Sequence, residues 1–75
     1  MQLLKSYVIE TARAHARKRL TQVVPDAVVW MDFERWMNAE QKTQGGVFTS
    51  ATVTAAKAIY THYYLDTLNP KGDGP

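Results

Sequence analysis

Cysteine is absent from this chain of 75 residues. Disulfide bonds and most structural zinc sites require cysteine side chains, so neither can stabilise the fold. A domain of this size buries only roughly 60 to 65% of the surface that its unfolded chain exposes. Small domains often gain the missing core by associating with a second copy of themselves. The absence of cysteine is therefore consistent with a reducing compartment and favours self-association.

Long apolar runs are absent as well. No segment approaches the roughly 20 apolar residues that a helix needs to span a bilayer. The first residues also lack the short apolar segment that is typical of a signal peptide. We therefore expect a cytoplasmic protein without a membrane partner.

Signatures of catalysis and of metal binding are scarce. The pair Gly45 and Gly46 is not followed by the lysine and serine of a phosphate-binding loop, and the chain has no nucleophile elbow. No second histidine or cysteine lies three or four residues from His15 or His62. A chain this short also has little room for a ligand pocket of roughly 300 to 1,000 Å³. The sequence therefore predicts no enzyme, no metal, no cofactor and no small-molecule substrate.

Charge is unevenly distributed along the chain. Residues 1–24 contain five cations and one acid, a formal charge of +4, whereas residues 25–75 contain four cations and six acids, a charge of −2. The basic side chains are concentrated in one run, which comprises Arg13, Arg17, Lys18 and Arg19. This run predicts contacts with the phosphates of a nucleic acid or with an acidic protein partner. The other interpretation is a solvated helix face whose last cations favour the negative end of the helix dipole.

The first helix is predicted at about residues 2–22, because no glycine or proline interrupts this segment. At about 100° per residue, Val8, Ala12 and Leu20 share one apolar face, which we assign to the core. Pro25 ends the helix, since proline restricts the residue before it and has no backbone N–H to donate.

The second helix is predicted at about residues 32–43, and residues 26–31 allow two interpretations. The helix could instead begin at Pro25, with proline at its start and Asp26 in its first turn. Alternatively, residues 26–31 form a short extended segment before the helix. Four large apolar residues of this region are assigned to the core: Trp30, Phe33, Trp36 and Met37.

The third helix is predicted at about residues 50–68, after a turn at Gly45 and Gly46. Thr49 or Ser50 can cap it by accepting a hydrogen bond from a backbone N–H group. Because β-branched residues are frequent here, a short extended segment at residues 47–52 is the alternative.

These segments predict an all-α fold, a small three-helix domain over residues 1–69. Asn69 and Pro70 end the third helix, and the polar tail at residues 70–75 is rich in glycine and proline. We expect this tail to be disordered.

The third helix is unusual in its lack of charge. Lys57 is the only charged residue between Thr43 and Leu65. One face supplies Ile59 and Tyr63 to the core. The residues assigned to a dimer or partner interface are Ala51, Ala55, Ala58, His62 and Leu65, together with Tyr60 and Tyr64. Either the alanine face lies in solvent, where alanine is harmless, or it packs against another chain.

The favoured function is therefore that of a small regulatory or adaptor protein, without enzyme activity, that binds another protein. The third helix would form a homodimer, which would modulate or inhibit a macromolecular partner. The alternative is a nucleic-acid-binding transcriptional regulator whose first helix contacts phosphates. Sequence-specific recognition is not expected, because the third helix offers only Lys57 to base edges.

Overall fold

The computed structural model describes residues 3–20, 24–46 and 48–69. Within these ranges the chain forms three α-helices and no β-strand: α1 (Lys5–Arg17), α2 (Asp26–Thr43) and α3 (Ser50–Leu68). The predicted all-α, three-helix class is confirmed. The tail predicted to be disordered, residues 70–75, lies outside the described residues.

Helix α1 is shorter than the predicted range of 2–22, whose residues 2, 21 and 22 lie outside the described part of the chain. It begins at Lys5, because Leu4 is extended with φ −72° and ψ 135°. After Arg17 the backbone tightens, and the Arg19 N–H group donates to the Ala16 carbonyl at 2.8 Å, three residues back. Residues 18–20 form a turn in place of the predicted last helical turn, so α1 ends at Arg17.

Helix α2 begins at Asp26, so the predicted start at about residue 32 and the extended alternative for residues 26–31 are both wrong. Pro25 caps the helix with φ −63°, and its carbonyl accepts a hydrogen bond from the Val28 N–H group at 2.9 Å. Proline suits this place because its fixed φ is compatible with a helix start and its missing N–H would find no helical acceptor there.

Two glycines form the turn between α2 and α3. The Gly46 N–H group donates to the Gln41 carbonyl and the Gly45 N–H group to the Lys42 carbonyl, each at 3.3 Å. This pair of bonds is a Schellman motif, which requires a left-handed residue just after the helix. Gly45 meets that requirement with φ 65°.

Helix α3 has the predicted bounds. The Thr49 side chain accepts a hydrogen bond from the Thr52 N–H group at 3.2 Å, as a helix N-cap does. An extended segment at residues 47–52 is therefore wrong from Ser50 onward, and Val47 lies outside the described residues.

The core is built around Tyr60. Its ring centre lies 5.3 Å from that of Phe33 and 5.6 Å from those of Trp36, His15 and Tyr64. Aromatic rings at such separations attract one another in addition to the area that they bury. The buried apolar residues come from all three helices and the turn before α3: Val8, Ala12, Ala16, Val29, Phe33, Trp36, Met37, Phe48, Ala56, Tyr60 and Tyr64.

Two residues assigned to the core are instead exposed. Leu20 is 55% exposed because α1 ends before it, so the helical periodicity that placed it beside Val8 no longer applies. Trp30 is 38% exposed, since it follows Val29, which faces the core. Its ring stacks on Phe33 at 5.7 Å between centres and packs over the edge of the core.

The three tyrosines of α3 also lie in environments other than those predicted from the sequence. Tyr60 and Tyr64 are fully buried in the monomer, so they are core residues and cannot form the interface predicted for them. Ile59 and Tyr63, assigned to the core, are half-buried and pack against its edge. The buried stripe of α3 is therefore centred on Ala56, Tyr60 and Tyr64, and the interface residues that remain lie on the opposite side.

None of the three described helices is both long enough and apolar enough to cross a bilayer.

Candidate functional site

The first candidate surface is the side of α3 that faces away from the core. We call it the outer face of α3 and define it by five residues: Ala51, Ala55, Ala58, His62 and Leu65. The first four are exposed and Leu65 is half-buried. None of these five residues carries a formal charge, and the Lys57 ammonium lies over the Trp30 ring, 3.7 Å from its centre, at the side of the helix. The nearest charge is the exposed Asp66, which lines a shallow groove with His62 and Leu65 at the end of α3. Ala51, Ala58 and His62 are the uncovered centre of this face, whereas Leu65 packs against the core and Ala55 borders a groove shared with Lys5 and Val8 of α1.

The four cations of the basic run do not form one surface. The Arg13 guanidinium lies over the Tyr63 ring, 5.3 Å from its centre, at the edge of α3. Arg17 is exposed, whereas Lys18 and Arg19 lie toward α2. Because the side chains diverge, the run predicted to contact phosphates is divided among different sides of α1.

The second candidate surface is a cleft between the end of α1 and the middle of α2. Its volume is about 510 Å³, although the chain length predicted little room for a pocket. We call it the α1–α2 cleft, and its lining residues are His15, Lys18, Arg19, Asp32, Arg35, Trp36 and Ala39. Of the basic run it contains only Lys18 and Arg19.

Asp32 joins the three helices at one end of this cleft. Its Oδ2 accepts a hydrogen bond from Arg19 Nε at 3.0 Å and from the Tyr64 hydroxyl at 2.8 Å, while Arg19 Nη2 lies 3.4 Å from Oδ1. Burial raises the pKa of the Asp32 carboxyl, but the hydrogen bonds from Arg19 and Tyr64 and the nearby positive charge outweigh burial and hold it below its usual value. Burial, together with the hydrogen bond to Asp32 and its negative charge, raises the pKa of Tyr64 to about 12, so Tyr64 is the donor.

Half-buried His15 and fully buried Tyr60 form a second hydrogen-bonded pair. Nδ1 of His15 is hydrogen-bonded to the Tyr60 hydroxyl. Burial raises the pKa of Tyr60 and lowers that of His15, so both groups are neutral at neutral pH. The ring tautomer decides which group donates: a phenol donor pairs with unprotonated Nδ1, and an Nδ1–H donor pairs with the phenol oxygen. The imidazole therefore adds hydrogen-bonding capacity to the cleft without adding charge.

The cleft has an excess of positive charge. Its lining contains three cations, Lys18, Arg19 and Arg35, and one carboxylate, Asp32, which leaves a net formal charge of +2. Arg19 pairs with Asp32. Within the described part of the chain, Lys18 and Arg35 form no salt bridge. These two cations come from different helices and meet at the same cleft.

A separate polar contact joins α1 and α2 at their other ends. The Tyr7 hydroxyl donates to the Glu40 carboxylate, which also accepts from Gln44 Nε2 at 3.1 Å. The hydrogen bond to Glu40 raises the pKa of Tyr7, which keeps the phenol protonated as the donor. Together with the pair of Arg19 and Asp32, this contact fixes the separation of α1 and α2 along the cleft.

The sequence did not indicate the α1–α2 cleft. Asp32 stood at the predicted start of the second helix and Arg35 on its outer side, and Asp32 lies 13 positions after Arg19 in the sequence. A spacing of this length across a chain reversal has no periodic signal. The excess of basic residues in the first segment was the only available indication, and it located two of the three cations.

In the described ranges, no three His, Asp or Glu side chains are grouped closely enough to hold a metal ion. No protein-family model, curated protein or solved structure matches the chain. The function is therefore inferred from the two surfaces alone.

Proposed function

We propose that this chain is a small regulatory or adaptor protein that acts by binding proteins, and that its outer face of α3 forms a homodimer. The observation that supports the proposal is a stripe of exposed, uncharged residues on α3. The opposite side of the same helix is buried in the core. A helix that only needs to stay in solution normally carries charge on its exposed side. Here Ala51, Ala55 and Ala58 occupy that side, and small residues let two helices approach closely.

A second copy of the chain is the partner that this surface fits best. An uncharged face gives no electrostatic preference for a basic or an acidic partner, whereas a two-fold axis brings identical small-residue faces together without opposing charges. The face is narrow, so the interface would be at the small end of the usual range. We therefore expect dimerisation at micromolar concentration.

The proposal is tested by placing one charge on the outer face. Ala58→Glu keeps a good helix former at an exposed position, so the monomer should remain helical, but a dimer would have to bury the carboxylate. Light scattering coupled to size-exclusion chromatography should give a dimer for the wild type and a monomer for Ala58→Glu, with unchanged circular dichroism.

Ala14→Glu is the matched control, because Ala14 is an exposed alanine inside α1, away from α3's outer face. It should assemble like the wild type. If Ala58→Glu also assembles like the wild type, the outer face of α3 is not the interface.

Nucleic-acid binding receives less support. A backbone-binding surface needs several cations on one side of the protein, and the basic run of α1 is divided between Tyr63, solvent and the α1–α2 cleft. The regulatory activity that we propose therefore depends on protein contacts.

A further inference from the structure

The α1–α2 cleft combines features that the proposed dimer of α3 does not use. It is a recess of about 510 Å³, a volume usual for small-ligand sites. Lys18 lies on the α1 side, Arg35 lies on the α2 side, and the Trp36 and Ala39 side chains add apolar lining. Polar groups on two facing elements with an apolar surface between them are typical of a binding site for a small molecule with a charged end.

The charge of the cleft selects for an anion. Asp32 is the single carboxylate of the lining, and its charge is balanced by the salt bridge to Arg19. It also accepts a hydrogen bond from the Tyr64 hydroxyl. His15 is neutral, and the phenols of Tyr60 and Tyr64 keep their protons. The partial negative charge at the end of α1, about half an elementary charge, is smaller than the two full charges of Lys18 and Arg35. An approaching ligand therefore meets about two positive charges.

We infer that the α1–α2 cleft binds a phosphate group, either free or as a monoester, between Lys18 and Arg35. A phosphate monoester carries about −1.5 to −2 charges at neutral pH, which matches these two cations, whereas one carboxylate would match only one of them. Arginine binds phosphate with two parallel hydrogen bonds and lysine binds it as a point charge. The imidazole of His15 also lines the cleft and adds hydrogen-bonding capacity there.

A small phosphate compound fits the cleft better than a nucleic-acid strand does. A strand carries one charge per nucleotide and needs cations along an extended track. Arg13 lies over the Tyr63 ring and does not line the cleft. The cations of α1 therefore do not extend the positively charged surface beyond the cleft. The connecting residues 21–23 contain no charged side chain. The occupant is therefore a single phosphate group, either free or attached to a small organic molecule.

The inference is tested by nuclear magnetic resonance titration of the full chain at constant ionic strength and pH 7.5. The two probes are inorganic phosphate and phenyl phosphate. The indole N–H signal of Trp36 and the amide signals of Lys18 and Arg35 should shift and saturate, while the indole signal of Trp30, which does not line the cleft, should move little. Tighter binding of phenyl phosphate identifies an organic monoester as the occupant, and equal binding identifies free phosphate.

Charge-removing variants distinguish the cleft from general attraction to a basic protein. Lys18→Gln and Arg35→Gln should each weaken binding by about tenfold, as expected for losing a hydrogen bond to a charged group. Lys42→Gln is the control, because Lys42 is an exposed cation of α2 that does not line the cleft, and it should bind like the wild type. Shifts that do not saturate, an equal loss in Lys42→Gln, or equally tight binding of generic duplex DNA in competition would each overturn the inference.

Discussion

At the scale of single residues, the hydrogen bond between half-buried His15 and buried Tyr60 makes the stability of the core depend on pH. Burial lowers the pKa of His15 in the folded protein, whereas in the unfolded chain it is near the ordinary 6.5. Between these two values the unfolded chain binds more protons than the folded protein. The stability contributed by neutral His15 is therefore complete above pH 6.5 and is lost as the pH falls through 6.5 and below.

This linkage gives a direct prediction for His15→Asn. Asparagine retains a hydrogen-bonding group near the position of Nδ1 but does not titrate, so the variant should lose most of the change in stability between pH 7.5 and 5.5. Urea denaturation at a series of pH values measures it. An unchanged dependence in His15→Asn would show that another group is responsible.

At the scale of helices, the start of α3 depends on one side chain. The Thr49 hydroxyl accepts the hydrogen bond of the Thr52 N–H group, which has no acceptor within the helix. Thr49→Ala should therefore reduce the free energy of unfolding by about 1 kcal/mol. Chemical denaturation measures this loss. Ser50→Ala is the matched control, since no side-chain hydrogen bond of Ser50 caps the helix, and an equal loss there would contradict the capping role of Thr49.

The bounds of the helices show which features the sequence predicts. Helix α3 was predicted with its observed bounds, because its cap at Thr49 and its stop at Asn69 are local signals. The end of α1 was wrong, because residues 18–20 form a turn although no glycine or proline marks it. The predicted start of α2 at about residue 32 was wrong, because Pro25 is equally compatible with a helix start and an extended segment.

The two candidate surfaces also differ in how far local sequence patterns predict them. Helical periodicity separated Ala51, Ala55 and Ala58 from the core side of α3, and the structure leaves all three exposed. The same periodicity could not decide whether Tyr60 and Tyr64 face the core or a partner, since a tyrosine suits both environments. The α1–α2 cleft could not be predicted at all, because it requires side chains from two helices whose relative placement is set by packing.

At the scale of the whole molecule, α3 has two different sides. Its inner side supplies Ala56, Tyr60 and Tyr64 to the core, and the centre of its outer face remains uncovered and uncharged. The α1–α2 cleft lies elsewhere on the molecule, with cations in place of alanines. Binding of a protein at one surface and of a phosphate group at the other would therefore not compete for the same residues.

The central claim is that a second copy of the chain packs on the outer face of α3. Sedimentation equilibrium of the wild-type chain tests it most directly, since it measures mass without any assumption about shape. We predict that the weight-average mass rises from the chain mass of 8.5 kDa toward twice that value across the micromolar range. A mass that stays at 8.5 kDa up to high micromolar concentration would contradict the claim.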